Sequence, residues 1–394
     1  MYDVSNNYLD MELNTDNDMY YIEKINDLIN ESNKIAVLKK QNEDFLEPKT
    51  ESKGCWEWFW GLFGLYKKEE EIEHPPFVGL INIGNNCYLN AGLQILSRCY
   101  PLLIELLKKN YEKNELTKLF VESMVTLLFR KDKFYNPTKF IECFCKINKD
   151  FIIGRQQCSQ DFIRTILRNI NDILDKDIRF EEYFPSNGKE YNAYKSYIFE
   201  NKIFPESKAY SIFSGMLKIE ISGKCNECNE SIKNYSFTNF VDLTMYLDGF
   251  STKCKFSDVL RKNIGCQNNV IMKCPKCKVK INLKSISNFV KIPEIFIFTL
   301  ERYLIRNQVP IEPDDNLNLS DYIDDSYFGK DKCLYELFAI NIRIGKDLSF
   351  GHEICQIKQK NKWYTINDGD SYPRQREFNE YSYGLFYRRI HPKK

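Results

Sequence analysis

Hydrophobic residues follow two rhythms along this 394-residue chain. From Asn90 to about Asp175 they recur every three or four residues, as at Leu93, Leu96, Tyr100, Leu103 and Leu107. That spacing lays an apolar stripe along a helix. Beyond about Tyr210 the runs shorten and become strand-like. Examples are Met216-Leu217-Lys218-Ile219-Glu220-Ile221 and Ile295-Phe296-Ile297-Phe298-Thr299-Leu300. Helices first and strands later predict an α+β architecture. Another helix is predicted from Tyr20 to Lys40, where Ile22, Ile25, Leu28, Ile29 and Ile35 recur at roughly helical spacing. The rest of residues 1–76 is polar, rich in Asn, Asp, Glu and Lys, and is expected to be a flexible tail.

One aromatic segment interrupts this tail. Cys55-Trp56-Glu57-Trp58-Phe59-Trp60-Gly61-Leu62-Phe63-Gly64-Leu65-Tyr66 holds three of the four tryptophans. It is shorter than the roughly 20 residues that span a bilayer. Residues 55–66 are therefore expected to dock on the rest of the chain or on a partner, or to insert at a membrane interface. The acidic run Glu69-Glu70-Glu71-Ile72-Glu73 argues against an anionic membrane. No transmembrane segment is expected, because no apolar run approaches the needed length.

Composition narrows the picture. Hydrophobic residues make up 43% and aromatics 14%, enough for a substantial core. The formal net charge of +1 gives no electrostatic reason to expect a nucleic-acid partner. Fourteen cysteines in a chain this long do not resemble a small disulfide scaffold. The chain opens without a basic-then-apolar signal. A reducing setting, cytoplasmic and/or nuclear, is the expectation.

Four cysteines form two C-x-x-C pairs, Cys225 with Cys228 and Cys274 with Cys277. Two such knuckles brought together give four thiolates in a tetrahedral shell, which suits one structural zinc. Redox pairs lack their usual βαβ context here, and the charge does not support a nucleic-acid-reading zinc ribbon. Four thiolates leave no open coordination position, so the metal is expected to be structural, with no catalytic cofactor. Cys254 and Cys266 have the wrong spacing and are expected to be unligated.

The run Gly79-Leu80-Ile81-Asn82-Ile83-Gly84-Asn85-Asn86-Cys87-Tyr88-Leu89-Asn90 places a cysteine between a polar turn and an apolar helical stretch. A helix N-terminus carries partial positive charge and favours a thiolate, which suits a nucleophile. A buried structural cysteine is the alternative. Of the three histidines, His74, His352 and His391, only His352 lies among strand-like segments. A cysteine nucleophile needs a base, and the base needs an orienting group on its other nitrogen. Asn367 or Asp368 could supply it from a hairpin beside His352. Asn367-Asp368-Gly369 is also an ordinary hairpin-turn signal.

These segments resemble the conserved boxes of the ubiquitin-specific proteases, papain-like cysteine enzymes whose cysteine box reads Gly-Leu-x-Asn-Leu-Gly-Asn-Thr-Cys-Tyr-Met-Asn. Gly351-His352 and Trp363 through Asp368 resemble the histidine box, and Ser382 through Arg389 the closing strand. Gln156 through Phe162, Ile212 through Gly215, Phe240 through Leu243 and Ile292 through Tyr303 match in the family's order. The resemblance covers about Phe77 to Arg389. It implies a catalytic domain at 77–390 after a tail at 1–76. Its helical thumb would span about 87–210 and its zinc-bearing β fingers about 220–285, with a β palm in most of the rest.

The same resemblance implies ubiquitin and ubiquitinated proteins as partners, and roles for individual residues. Cys87 attacks the carbonyl of ubiquitin's C-terminal glycine, and His352 is its base. Asn367 orients His352, with Asp368 as runner-up. Asn82 joins the Cys87 backbone N–H in the oxyanion hole. Gln157 and Asp161 are implied in substrate binding. Three departures stand out. Asn86 replaces a Thr, where it is expected to cap the helix. Cys158-Ser159 replaces Asp-Ala, leaving Asp161 as the remaining acid for ubiquitin's basic tail. Glu353 replaces a Tyr after the histidine; near the ring it would favour the imidazolium and replace the missing acid in the tail channel, and the alternative is that it points away on its strand, since neighbouring strand residues face opposite sides. A catalytically silent ubiquitin-binding scaffold of the same fold is the alternative function.

Overall fold

The structure, a computed structural model, describes residues 18, 20–30 and 77–391, apart from 110, 130–132, 179–184, 186, 203–204, 303–307, 325–332, 346–350 and 377–379. Helices Cys87–Ser97, Tyr100–Lys108, Glu115–Phe129, Thr138–Ile147 and Ser159–Ile173 come first and build the thumb. Helix Cys87–Ser97 is buried along its whole length. It lies between helices Glu115–Phe129 and Ser159–Ile173 and against strand His352–Gln359. Helix Ser159–Ile173 buries Phe162, Ile163, Ile166, Leu167 and Ile170, the one face its spacing predicts.

The palm is an eight-stranded sheet. Its order is Asp370–Pro373, Lys362–Asn367, His352–Gln359, Leu334–Ile344, Ser382–Arg389, Ile295–Glu301 and Leu243–Tyr246, with Asn316–Asn318 also paired to Leu334–Ile344. One face meets the thumb through Phe338, Cys355, Ile357, Ile366 and Phe386. The other face covers a second core that includes Phe296, Phe298, Tyr335 and Tyr387. The central strands Leu334–Ile344 and Ser382–Arg389 are buried on both faces, and they carry Glu336, Asn341, Arg343 and Arg388 as buried polar positions.

The fingers are a four-stranded antiparallel sheet in the order Ser231–Phe240, Gly215–Lys224, Lys280–Lys291 and Asn268–Lys273. Its far end has only a small core of its own, made of Cys225, Ile232, Cys274, Ile281 and Leu283. The chain thus adopts the papain-like α+β arrangement of thumb, palm and fingers.

Two segments sit differently from the sequence expectation. Helix Gly188–Asn201, placed in the thumb by the span 87–210, packs instead on finger strand Ser231–Phe240. Tyr194, Tyr197 and Ile198 meet Met216, Phe237 and Val290 there, and the Asn239 N–H donates to the Tyr197 hydroxyl at 2.6 Å. Residues 20–30 are helical, and they dock rather than trail. Ile25 and Ile29 are buried in the thumb–palm core, the Tyr21 ring lies 6.0 Å from Tyr100, and Asp18 pairs with Arg388 at 2.7 Å. An apolar stripe of this kind is stable only when covered. Residues 31–40 and the aromatic segment 55–66 lie outside the described residues. Among the described residues, no helix is long and apolar enough to cross a membrane.

Candidate active site and metal centre

Cys87 is the first residue of its helix and is buried. The preceding strand Gly79–Leu80 lies against the palm hairpin, so closely that a Cβ on Gly79 would stand 2.1 Å from the Gly369 carbonyl oxygen. The chain then turns sharply through Gly84, whose φ of 119° suits glycine alone. Asn82 Oδ1 accepts the Gly84 N–H at 3.0 Å, and Asn86 Oδ1 accepts the Ile83 N–H at 2.7 Å. Asn86 occupies the N-cap position but makes no side-chain cap. This corrects the expected capping role, because its oxygen is turned back into the loop.

His352 opens strand His352–Gln359 and is half-buried. Its Nε2 lies 2.6 Å from Asn367 Oδ1, which leaves Nδ1 for the thiol. The Cys87 sulfur beside the ring is the main cause lifting the His352 pKa from 6.5 to about 9. Asn367 and the Asp368 charge add to the lift, and partial burial opposes it. Asn367 ends strand Lys362–Asn367 and pairs with Asp370 across the turn, where Asp368 has a φ of 49°. The turn reading and the orienting position therefore hold together.

Asp368 faces the loop that leads into Cys87. Its Oδ1 accepts from Asn90 Nδ2 at 2.8 Å and its Oδ2 from Asn82 Nδ2 at 2.9 Å. Its carbonyl accepts the Leu80 N–H at 2.8 Å. Asn90 Oδ1 accepts in turn from Asn86 Nδ2 at 3.0 Å. The two candidate orienting residues thus stand in different places, Asn367 on the imidazole and Asp368 on the loop that carries Cys87. The Asn82 amide is held from both ends, which fixes which atom is nitrogen. Asp368 takes one of the two hydrogens on that nitrogen.

Glu353 does not lie where the sequence suggested. Successive strand residues face opposite sides, so His352 and Glu353 point apart. Glu353 is 1% exposed. It pairs with Arg343, its partner across the ladder, and accepts from Asn341 Nδ2 at 3.2 Å. The Ser159 N–H reaches its two oxygens at 3.3 and 3.2 Å. A carboxylate enclosed in this way is engaged away from the His352 ring and out of reach of a ligand, so both expected roles are withdrawn. Gln157 donates to the Asp150 carbonyl at 2.8 Å. Asp161 is exposed in the first helical turn and pairs with Arg164 at 2.6 Å. Arg164 in turn grips both oxygens of Asp242 at 2.6 and 2.7 Å. Cys158 is buried, which pushes its thiol up to about 12.

Sequence reasoning missed Gln156, Asn90, Asn341 and Arg343. Gln156 clasps the residue before the histidine, donating to the Gly351 carbonyl at 2.5 Å and accepting its N–H at 2.9 Å. Asn341 and Arg343 were visible as the two polar residues of the run Ile340-Asn341-Ile342-Arg343-Ile344, which put them on one strand face.

The fingers end in a cluster of four thiols. Cys225, Cys228, Cys274 and Cys277 have their sulfurs within 4.8 Å of one another. Cys225 and Cys277 are 3.6 Å apart and Cys228 and Cys274 3.7 Å, and none of the four is in a disulfide. Ligands about 2.3 Å from a tetrahedral centre would be about 3.8 Å apart, so the cluster fits one ion of zinc's size. The two knuckles repeat one geometry. A left-handed residue follows each pair, Asn229 and Lys278, and the first cysteine N–H of each closes on a carbonyl five residues on, Glu230 or Val279.

Comparison with known proteins completes the picture. Residues 78–387 match the family model described as ubiquitin carboxyl-terminal hydrolase. The chain is 26% identical over 350 residues to probable ubiquitin carboxyl-terminal hydrolase 4 of Schizosaccharomyces pombe, covering 79% of this chain and 58% of that protein. It is 25% identical to ubiquitin carboxyl-terminal hydrolase 4 of Arabidopsis thaliana, covering 75% of this chain and 85% of that one. It is 24% identical to human ubiquitin carboxyl-terminal hydrolase 21, covering 79% and 61%. Among solved structures, a chain of the SAGA DUB module of Ubp8, Sgf11, Sus1 and Sgf73 bound to monoubiquitin superposes with a TM-score of 0.58 at 18% identity, covering 86% of this chain and 74% of that one. With the family match running through almost the whole of the thumb, fingers and palm, this chain belongs to the ubiquitin carboxyl-terminal hydrolase family.

Proposed function

We propose that this chain is a deubiquitinating thiol protease that hydrolyses the bond after the C-terminal glycine of ubiquitin. One observation carries the reading. His352 has the Cys87 sulfur beside its ring, the main cause raising its pKa, and Asn367 Oδ1 at 2.6 Å from its Nε2. His352 takes the Cys87 proton, or holds it already as an ion pair, and the sulfur attacks the glycine carbonyl. The second hydrogen of Asn82 Nδ2 and the Cys87 backbone N–H stabilise the oxyanion. The imidazolium returns its proton to the leaving amine. Water then cleaves the thioester with His352 as base. Asp161, exposed at the head of helix Ser159–Ile173, is proposed to meet the basic tail of ubiquitin. Gln157 in the adjoining loop supports the same region.

The catalytic domain is proposed to occupy 77–390. The four finger cysteines are proposed to hold one structural zinc, which would clamp the two knuckles and take no part in the reaction. Thirteen free thiols among the described residues support a reducing compartment, cytoplasmic and/or nuclear. The aromatic segment 55–66 remains a proposed docking element.

A ubiquitin with a C-terminal electrophile tests the reading. One adduct at Cys87 is expected in reducing buffer, absent in Cys87→Ala. An unlabelled wild-type chain would sink the proposal. A second test addresses Asp368. Its carboxylate fixes the Asn82 amide, so Asp368→Ala should lower kcat by about 10- to 100-fold with little change in KM. Asp368→Asn, which keeps one acceptor, should lose less. A kcat within twofold of wild type in Asp368→Ala would show that Asn82 does not depend on it.

A further inference from the structure

Helix Ser159–Ile173 lacks a cap of its own. Cys158 occupies the N-cap position with extended dihedrals, φ −111° and ψ 135°, but its side chain makes no cap hydrogen bond. Its sulfur is turned to the Tyr383 hydroxyl at 3.7 Å. The first N–H of the helix is instead taken by Glu353, which belongs to the palm and lies 194 residues further along the chain. The same carboxylate is held by Arg343 on the neighbouring palm strand, and Arg343 also donates to the Gln157 carbonyl at 3.0 Å. Asn341 links the two sides as well, donating to Ser159 Oγ at 2.5 Å and to Glu353.

We propose that Glu353 is a positioning residue that caps helix Ser159–Ile173 from across the thumb–palm junction and thereby fixes the helix to the strand that begins at His352. The proposal rests on the deubiquitinase reading for its catalytic consequence. A helix N-terminus favours a negative charge, and a carboxylate there satisfies donors the helix cannot satisfy itself. Supplied from within the helix, that cap would only stabilise the helix. Supplied by Glu353, it locks two layers. His352 is the next residue on the palm side, and Asp161 lies in the first turn on the thumb side. Gln156 adds a second tie at Gly351, so both residues flanking His352 are bound to the segment that leads into the helix. Burial makes the lock selective. A charged pair about 1% exposed on both sides tolerates no partial engagement, because an unpaired member would stay buried.

The test uses the full chain as Glu353→Gln, Cys158→Asp and the double variant. Active sites are counted with the ubiquitin electrophile, and kcat is expressed per labelled site, which loss of folded protein alone would not change. Glu353→Gln is expected to lower kcat per site by about 10- to 100-fold and Tm by about 5–10 °C. Adding Cys158→Asp restores an ordinary cap, so Tm should recover in part while kcat per site stays low. An unchanged kcat per site in Glu353→Gln, or full recovery of kcat in the double variant, would overturn the proposal. Hydrogen exchange separates its failure from failure of the deubiquitinase reading, since it needs no substrate. In Glu353→Gln, amides of 159–173 and of 352–359 should exchange faster together. If only the helix responds, the two layers are not locked by Glu353.

Discussion

Cys87→Ala is expected to abolish cleavage of a ubiquitin C-terminal amide, and His352→Ala to lower kcat/KM by roughly 10²–10⁴-fold, the usual worth of a general acid–base group. The thiol supplies the covalent step. It fills little of the core, so Cys87→Ala should keep its fold. The pH profile gives this prediction its sharper form. The imidazolium must be present to protonate the leaving amine, and the His352 pKa of about 9 sets where it is lost. Activity should therefore fall on the alkaline side near pH 9. Asn367→Ala removes an acceptor that favours the charged ring, so the alkaline limb should move to lower pH. The sign for stability is the same. A histidine raised from 6.5 to about 9 on folding contributes fully below about pH 6.5, and that contribution is lost as pH rises through about 9. A pH–rate profile of Asn367→Ala superimposable on wild type would show that Asn367 does not hold the ring.

Loss of any finger cysteine is expected to unfold the far half of the fingers while the thumb and palm persist. The reason is the size of the local core. At its far end the sheet buries a cluster of Cys225, Ile232, Cys274, Ile281 and Leu283, and two of these five are themselves in the thiol cluster. So few apolar groups cannot offset the ordering of the far strand ends and the two knuckles. Metal binding by four thiolates can, because apparent values of about 10–16 kcal/mol are typical of structural zinc in small peptides. Elemental analysis of natively purified protein should find one zinc per chain. Cys274→Ala, or treatment with a strong chelator, should open 221–234 and 269–284, the two knuckles and the strand ends beside them, to proteolysis while helix Cys87–Ser97 stays protected. Protein prepared without chelator that contains no zinc, yet resists cleavage there, would contradict this account.

The candidate site was legible in the sequence where its chemistry is local. Cys87 follows a loop of Asn and Gly and begins an apolar helix, and those few residues build both the turn and the helix start. The C-x-x-C pairs are equally local, since each knuckle closes on itself within six residues. The order of thumb helices before palm strands was readable because period 3.6 and period 2 are properties of short windows.

What the sequence left open depends on partners far along the chain. Asn367 and Asp368 are neighbours of similar chemistry. Only the hairpin's position against Leu80 and Asn82 sends Asp368 to the nucleophile loop and leaves Asn367 on the ring. The side of the strand that Glu353 takes relative to His352 was left open by the sequence. The alternation of the strand sends it to the other side, where Arg343 and the Ser159 N–H were waiting. The docking of residues 20–30 on the thumb–palm core was undecided, and helix Gly188–Asn201 was assigned to the thumb instead of the fingers, for the same reason. An amphipathic stripe states that a face will be buried, and only the assembled tertiary structure supplies the surface that buries it.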